Sequence, residues 1–90
     1  MTSEFEKFTG HEVVVDTKTP IVYIGTLAAA EENFLVLEEV DVHDINDTQT
    51  TKELYILEAK KFGIKKNRSN VRIFFSEIVS ISKLDDIIEY

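Results

Sequence analysis

The chain has 90 residues, a formal charge of −7, an ordinary hydrophobic share of 43% and no cysteine. That length holds a single small domain, residues 1–90, the hydrophobic share argues against disorder, and the missing cysteines exclude disulfides, thiolate catalysis and thiolate zinc sites. The opening "MTSEFEKFTG" has two glutamates and no apolar core, unlike a signal peptide, and no apolar run approaches the roughly 20 residues of a membrane span, so a soluble cytoplasmic protein is expected.

The first predicted element is a short helix in "TSEFEKF". Ser3 and Glu6 have the spacing of a capping box, Phe5 and Phe8 fall on one face, and Gly10 ends the turn. Such a short piece cannot stand alone, so the phenylalanines must pack on something. "HEVVVDT" is β-branched and reads as a strand, "KTP" turns the chain, and "IVYIGTLAAA" is the next strand, with Pro20 at its start. Gly25 inside that strand marks a bend or a close backbone approach, as needed when a few short strands coil into a small barrel, with the alanines following at the turn. The alternative is an accidental glycine in an edge strand.

"NFLVLEEVDVH" is a third strand. Simple alternation puts Phe34, Val36, Val40 and Val42 on one face, interrupted by Glu38, and Glu39, Asp41 and His43 on the other, emerging into solvent. "DINDTQT" is a polar loop. In "TTKELYILEAKKFG" the caps favour helix over strand, across about residues 51–62. Thr50 and Glu53 form a capping box, Lys60 and Lys61 suit the C-terminal dipole, and Gly63 with Ile64 ends the helix. Tyr55, Ala59 and Phe62 form its apolar face. "IKKNRSN" is a turn, "VRIFF" and "EIVSISKL" are two short strands, and "DDIIEY" adds a final turn.

Charge is unevenly distributed. Lys60, Lys61, Lys65, Lys66, Arg68 and Arg72 lie in an acid-free stretch, leaving 17 acids and four lysines elsewhere. The stretch reads either as the footprint of a polyanion or as a solvated turn beside a helix end. Catalytic chemistry has no comparable signal. Asp41, His43, Asp44 and Asp47 supply two convergent candidate ligands where a metal needs three or four, His11 is isolated, and Ser76, Ser80 and Ser82 lack a nucleophile's strand–turn–helix setting. There is no glycine-rich phosphate loop. No enzyme activity, cofactor or metal is expected.

The order helix, three strands, helix, two strands, with a glycine-bent second strand, resembles the Sm-like (LSm/Hfq-type) family. Val13 and Val15, the turn at Lys18 to Pro20, then Gly25 and Leu27 match that family's first motif, and Ile73, Ile78 and Ile81 match its second. The resemblance covers most of the chain except the second helix, which stands as an insertion between strands three and four. It implies a mainly β fold: a strongly bent, five-stranded antiparallel barrel with an N-terminal helix. It also implies a homo-oligomeric ring of about five to seven subunits, closed head to tail through the last two strands. Val71, Ile73, Phe75, Ile78, Val79 and Ile81 are the interface residues so implied.

The family's RNA-binding residues carry over in part. Phe74 and Phe75 stand where members from archaea and eukaryotes have an arginine–glycine pair. Phe75 and Ser76 replace the lysine and histidine of the Hfq branch, and Glu31 and Asn33 are partial counterparts of the family's acidic residue and asparagine after the second strand. Lys65, Lys66, Arg68, Arg72, Asn33 and Phe74 are the candidate contacts to single-stranded RNA, with Phe74 and Phe75 able either to stack bases or to serve as core and interface. Two functions follow: a ring that binds RNA with low sequence specificity, or a ring serving protein interaction that has lost the RNA pocket.

Overall fold

A computed structural model describes residues 3–48 and 50–89, Ser3 by its backbone alone. The Ser3 cap expected from the sequence lies outside the described residues. The strands are β1 (Glu12–Thr17), β2 (Ile21–Ala30), β3 (Phe34–Asp44), β4 (Arg68–Phe74) and β5 (Ile78–Lys83), with helix α1 (Lys52–Phe62) between β3 and β4. They form one antiparallel sheet in the order β4-β3-β2-β1-β5.

The sheet bends strongly around a core of Val13, Val15, Leu27, Leu35, Leu37, Val40 and Ile73. Residues Ser3–Phe8 form a 3-10 turn, not the α-helix expected. Six residues form too few i to i+4 bonds to repay helix nucleation, and a tighter turn still brings Phe5 and Phe8 to one side. Both pack against this inner core. A second cluster lies on the outer face of β1 and β2, where Val14, Val22 and Ile24 meet Ala59 of α1 and Leu84. Tyr55, Ile56, Ile64 and Ile87 close over it. Lys52 fastens the start of α1 to β1, its Nζ donating to Asp16 Oδ1 at 2.5 Å and to the Thr19 carbonyl at 2.8 Å.

The bend has a local cause. Between Ile24↔Asp41 and Thr26↔Glu38, β3 carries one extra residue, and Glu39 there takes a φ of 53°. This bulge faces Gly25, where an added Cβ would lie 3.0 Å from the Glu38 carbonyl oxygen and 3.1 Å from Val40 Cα. The glycine is thus required by backbone approach, the role expected for it in a coiled strand. A second shift, between Leu27 and Ala29, puts the extra residue on β2 at Ala28. The alanines therefore lie within the strand, to Ala30, and not at the turn; a small side chain suits the crowded bulge.

The bulge also corrects the reading of β3. Unbroken alternation would set Val40 and Val42 beside Phe34 and Val36. The extra residue reverses the phase, so Val40 and Val42 join Leu35 and Leu37 inside the barrel. Asp41 then turns toward α1 and is buried, 4% exposed, instead of emerging into solvent. In α1 the cap is Thr51, not Thr50: its side chain accepts from the Leu54 N–H at 3.1 Å, while the Thr50 hydroxyl is buried with no partner among the described residues. Gly63, at φ 95°, ends the helix and donates its N–H to the Ala59 carbonyl. Phe62, expected on the buried face, is 76% exposed. The sheet accepts only the stripe through Tyr55, Ile56 and Ala59, and Phe62, in the last turn, lies outside that stripe. β4 starts at Arg68, so the second half of the expected turn "IKKNRSN" is strand, paired through Val40↔Arg68 and Glu38↔Asn70.

Candidate nucleic-acid interface

Two turns meet at one end of the barrel. The β2–β3 connection closes with the Glu31 N–H donating to the Phe34 carbonyl at 2.8 Å. The β4–β5 connection is a 3-10 turn, Phe75–Glu77. The Phe75 N–H donates to the Asn33 carbonyl at 3.0 Å and ties one turn to the other. Asn33 and Phe74 are exposed there, and Phe74 pairs with Phe34 in register across β3 and β4.

The Phe34 and Phe74 rings meet edge to face at 5.9 Å, and the Arg72 guanidinium lies 5.8 Å from the Phe34 ring centre. Asn70 Oδ1 accepts from Arg72 at 2.9 Å and steadies it. The result is a solvent-facing aromatic surface beside a cation, with Phe74 57% exposed. Such a surface offers π faces for stacking and a charge for phosphate. Phe34 was not among the sequence candidates; its register opposite Phe74 is what places it there. The two consecutive phenylalanines separate: Phe74 faces solvent, whereas Phe75 is half-buried and stacks on Phe5 with ring centres 5.4 Å apart.

Lys65, Lys66 and Arg68 lie at the opposite end of β4. Arg68 and Phe74 are about 20 Å apart, at roughly 3.3 Å per residue. All three side chains are exposed, but acids of the β3 bulge face them. Lys66 forms an ion pair with Glu39. Lys65 acts on Asp41, whose pKa burial pushes up while the charges of His43 and Lys65 pull it back. Asn67, which the sequence did not single out, organises this end. Its N–H donates to the Val40 carbonyl, its Oδ1 accepts from the Val42 N–H at 3.0 Å, and its Nδ2 donates to the Val42 carbonyl at 3.1 Å and to Asp41 Oδ1 at 3.3 Å. Lys60 has a different role, donating to the carbonyls of Leu84 and Asp85. The basic stretch therefore divides among helix anchoring, the bulge and the aromatic end.

The edges of the sheet are β4 and β5. Val71, Phe75, Ile78 and Ile81 are half-buried along them against the barrel core, and Val79 is 61% exposed. Ile73, at 3% exposure, points its side chain into the core and presents only backbone at the edge. The remaining polar cluster is occupied by packing. His43 stacks on Tyr55 with ring centres 3.7 Å apart, its Nε2 lies 3.2 Å from Thr48 Oγ1, and Asp44 accepts from the Asn46 N–H. Among the described residues no three His, Asp or Glu side chains converge to hold a metal ion. No helix among them is long and apolar enough to cross a membrane.

No family model and no curated protein matches the chain. Among solved structures it is similar to an Sm protein of Pyrococcus abyssii in complex with a uridine heptamer. The two superpose with a TM-score of 0.61 over 89% of this chain and 92% of that one, at 15% sequence identity. At that identity the likeness is one of fold: the bent five-stranded sheet is Sm-like.

Proposed function

We propose that the chain is a divergent Sm-like protein, with α1 inserted before the second motif, and that it forms a homo-oligomeric ring binding single-stranded RNA with low sequence specificity. The observation that carries this reading is the bond from Phe75 N–H to the Asn33 carbonyl. It gathers Asn33, Arg72 and the Phe34–Phe74 pair at one end of an Sm-like fold, and the similar Sm protein is one in complex with a uridine heptamer. Phe74 stacks on bases, Asn33 hydrogen-bonds to them, and Arg72 meets phosphate. Lys65, Lys66 and Arg68 attract the strand without reading it.

The ring closes as β4 of one subunit pairs with β5 of the next, about five to seven times. Unpaired edges lined by half-buried apolar residues favour this, because a free edge is an aggregation hazard. Val71, Phe75, Ile78, Val79 and Ile81 flank the seam, and Ile73 contributes backbone. Repetition around the ring multiplies a modest site into an avid one.

A second reading is a ring that serves protein interaction. The net charge of −7 and the pairing of Lys66 with Glu39 favour it. Titrating uridine-rich and adenine-rich single strands at two salt concentrations separates the two. Under the RNA reading, binding weakens with salt at a log–log slope of about −0.7 per phosphate contacted. Phe74→Ala weakens it for every sequence, and Lys65→Glu with Lys66→Glu and Arg68→Glu flattens the slope. No binding at low salt leaves the second reading. A monomer by light scattering at micromolar concentration sinks both.

A further inference from the structure

Beside α1, at the rim of the second core, lies an apolar groove. Ile56 and Leu57 face Ile87 and Ile88 across it, with Glu53 on its rim. Leu54, one turn before Leu57, flanks the groove and is 50% exposed, and Ile88 is 76% exposed. The sheet uses only the stripe through Tyr55, Ile56 and Ala59, so Leu54, Leu57 and Ile88 are aliphatic where a charged residue would serve the fold equally well. Contiguous exposed aliphatics of this kind mark an interaction surface.

The charges around the groove indicate its occupant. Glu53, Glu58, Asp85, Asp86 and Glu89 are all exposed on the two segments that form it. Of the lysines on α1, Lys52 is paired with Asp16, and Lys60 donates to the carbonyls of Leu84 and Asp85. Lys60 keeps its charge in those bonds and, with Lys61, offsets two of the five acids, so the surroundings carry a net negative charge. A second copy would bring the same acids against these, and a nucleic acid would be repelled. A segment with aliphatic anchors flanked by lysine or arginine satisfies both the floor and the rim.

We propose that the groove between α1 and the C-terminal segment docks a basic amphipathic helix of another protein, its aliphatic side chains inserted between Leu54 and Leu57 on one side and Ile87 and Ile88 on the other. No residue of the groove lies in β4 or β5, so docking is independent of the edges and of RNA at Phe74.

The test uses synthetic peptides about five helical turns long. One is an amphipathic leucine–lysine helix, the second has the same composition scrambled so that no apolar face forms, and the third replaces lysine by glutamate. Each is titrated into the intact protein, with isoleucine and leucine methyl resonances as the readout. The leucine–lysine helix is expected to bind in the micromolar range, shifting Leu54, Leu57, Ile87 and Ile88. Its affinity should fall at least tenfold for the scrambled peptide, for Leu54→Ser with Ile88→Ser, and for Glu53→Lys with Asp86→Lys. The charge variant leaves the apolar floor intact, so it reports even if the serine variant perturbs α1. Equal binding of the scrambled or glutamate peptide, shifts confined elsewhere, or no binding overturns the proposal. So does a fall in assembly mass caused by Leu54→Ser with Ile88→Ser, which would mean that a second copy fills the groove.

Discussion

Replacing Gly25 by alanine tests the central feature of the fold, the close approach of β2 to the β3 bulge. The new Cβ would sit 3.0 Å from the Glu38 carbonyl oxygen and 3.1 Å from both Val40 Cα and Val40 Cγ2. Two of these three atoms are backbone, and Val40 is fully buried, so no flexible side chain can swing away. β3 must retreat by a few tenths of an ångström, against Leu35 and Leu37 of the core. Overpacking of this kind costs about 1–3 kcal/mol. Alanine recovers about 0.4–1 kcal/mol by restricting the unfolded chain. The net loss is about 1–2 kcal/mol, a fall in Tm of about 5–15 °C for a domain of this size. Circular dichroism melts of the two proteins at equal concentration measure it, since association makes Tm concentration-dependent. A Tm for Gly25→Ala equal to or above that of the native protein would refute the steric argument.

Other changes probe the second core and the helix. Thr51→Ala, removing the cap, should cost about 1 kcal/mol in urea unfolding, whereas Thr50→Val, replacing a buried hydroxyl that caps nothing, should hold or raise stability; the reverse order would place the cap one residue earlier. Phe62→Ala should change stability by less than about 0.5 kcal/mol because the ring is exposed, while Ile56→Ala, in the cluster under α1, should cost about 2 kcal/mol in the same assay. Burial raises the Asp41 pKa in the folded state, so this group's favourable contribution is complete below its unfolded pKa and is lost as pH rises through the folded one. Asp41→Asn keeps the acceptor for Asn67 and should therefore be more stable than the native protein at neutral pH, with the advantage gone below about pH 4. An advantage that grows as pH falls would reverse the sign of the argument.

Much of the architecture is local and legible in the sequence. Val13 and Val15 alternate because a strand's side chains do, Gly63 stops α1 because it takes a positive φ, and Gly25 interrupts a hydrophobic strand because another backbone must come close. What no local pattern contained is the identity of the facing backbone. The extra residue at Glu39 exists only relative to β2, yet it reverses the second half of β3, burying Asp41 and sending Val40 inward. Phe62 stays in solvent although its spacing from Ala59 matches a buried face. Phe74 and Phe75 are identical neighbours; Phe34 opposite one and Phe5 against the other separate them. The basic stretch is continuous in sequence, but β4 is extended, so its members are carried about 20 Å apart and meet different partners. Each of these outcomes depends on which residues pairing brings opposite one another, a property of the sheet and not of any segment within it.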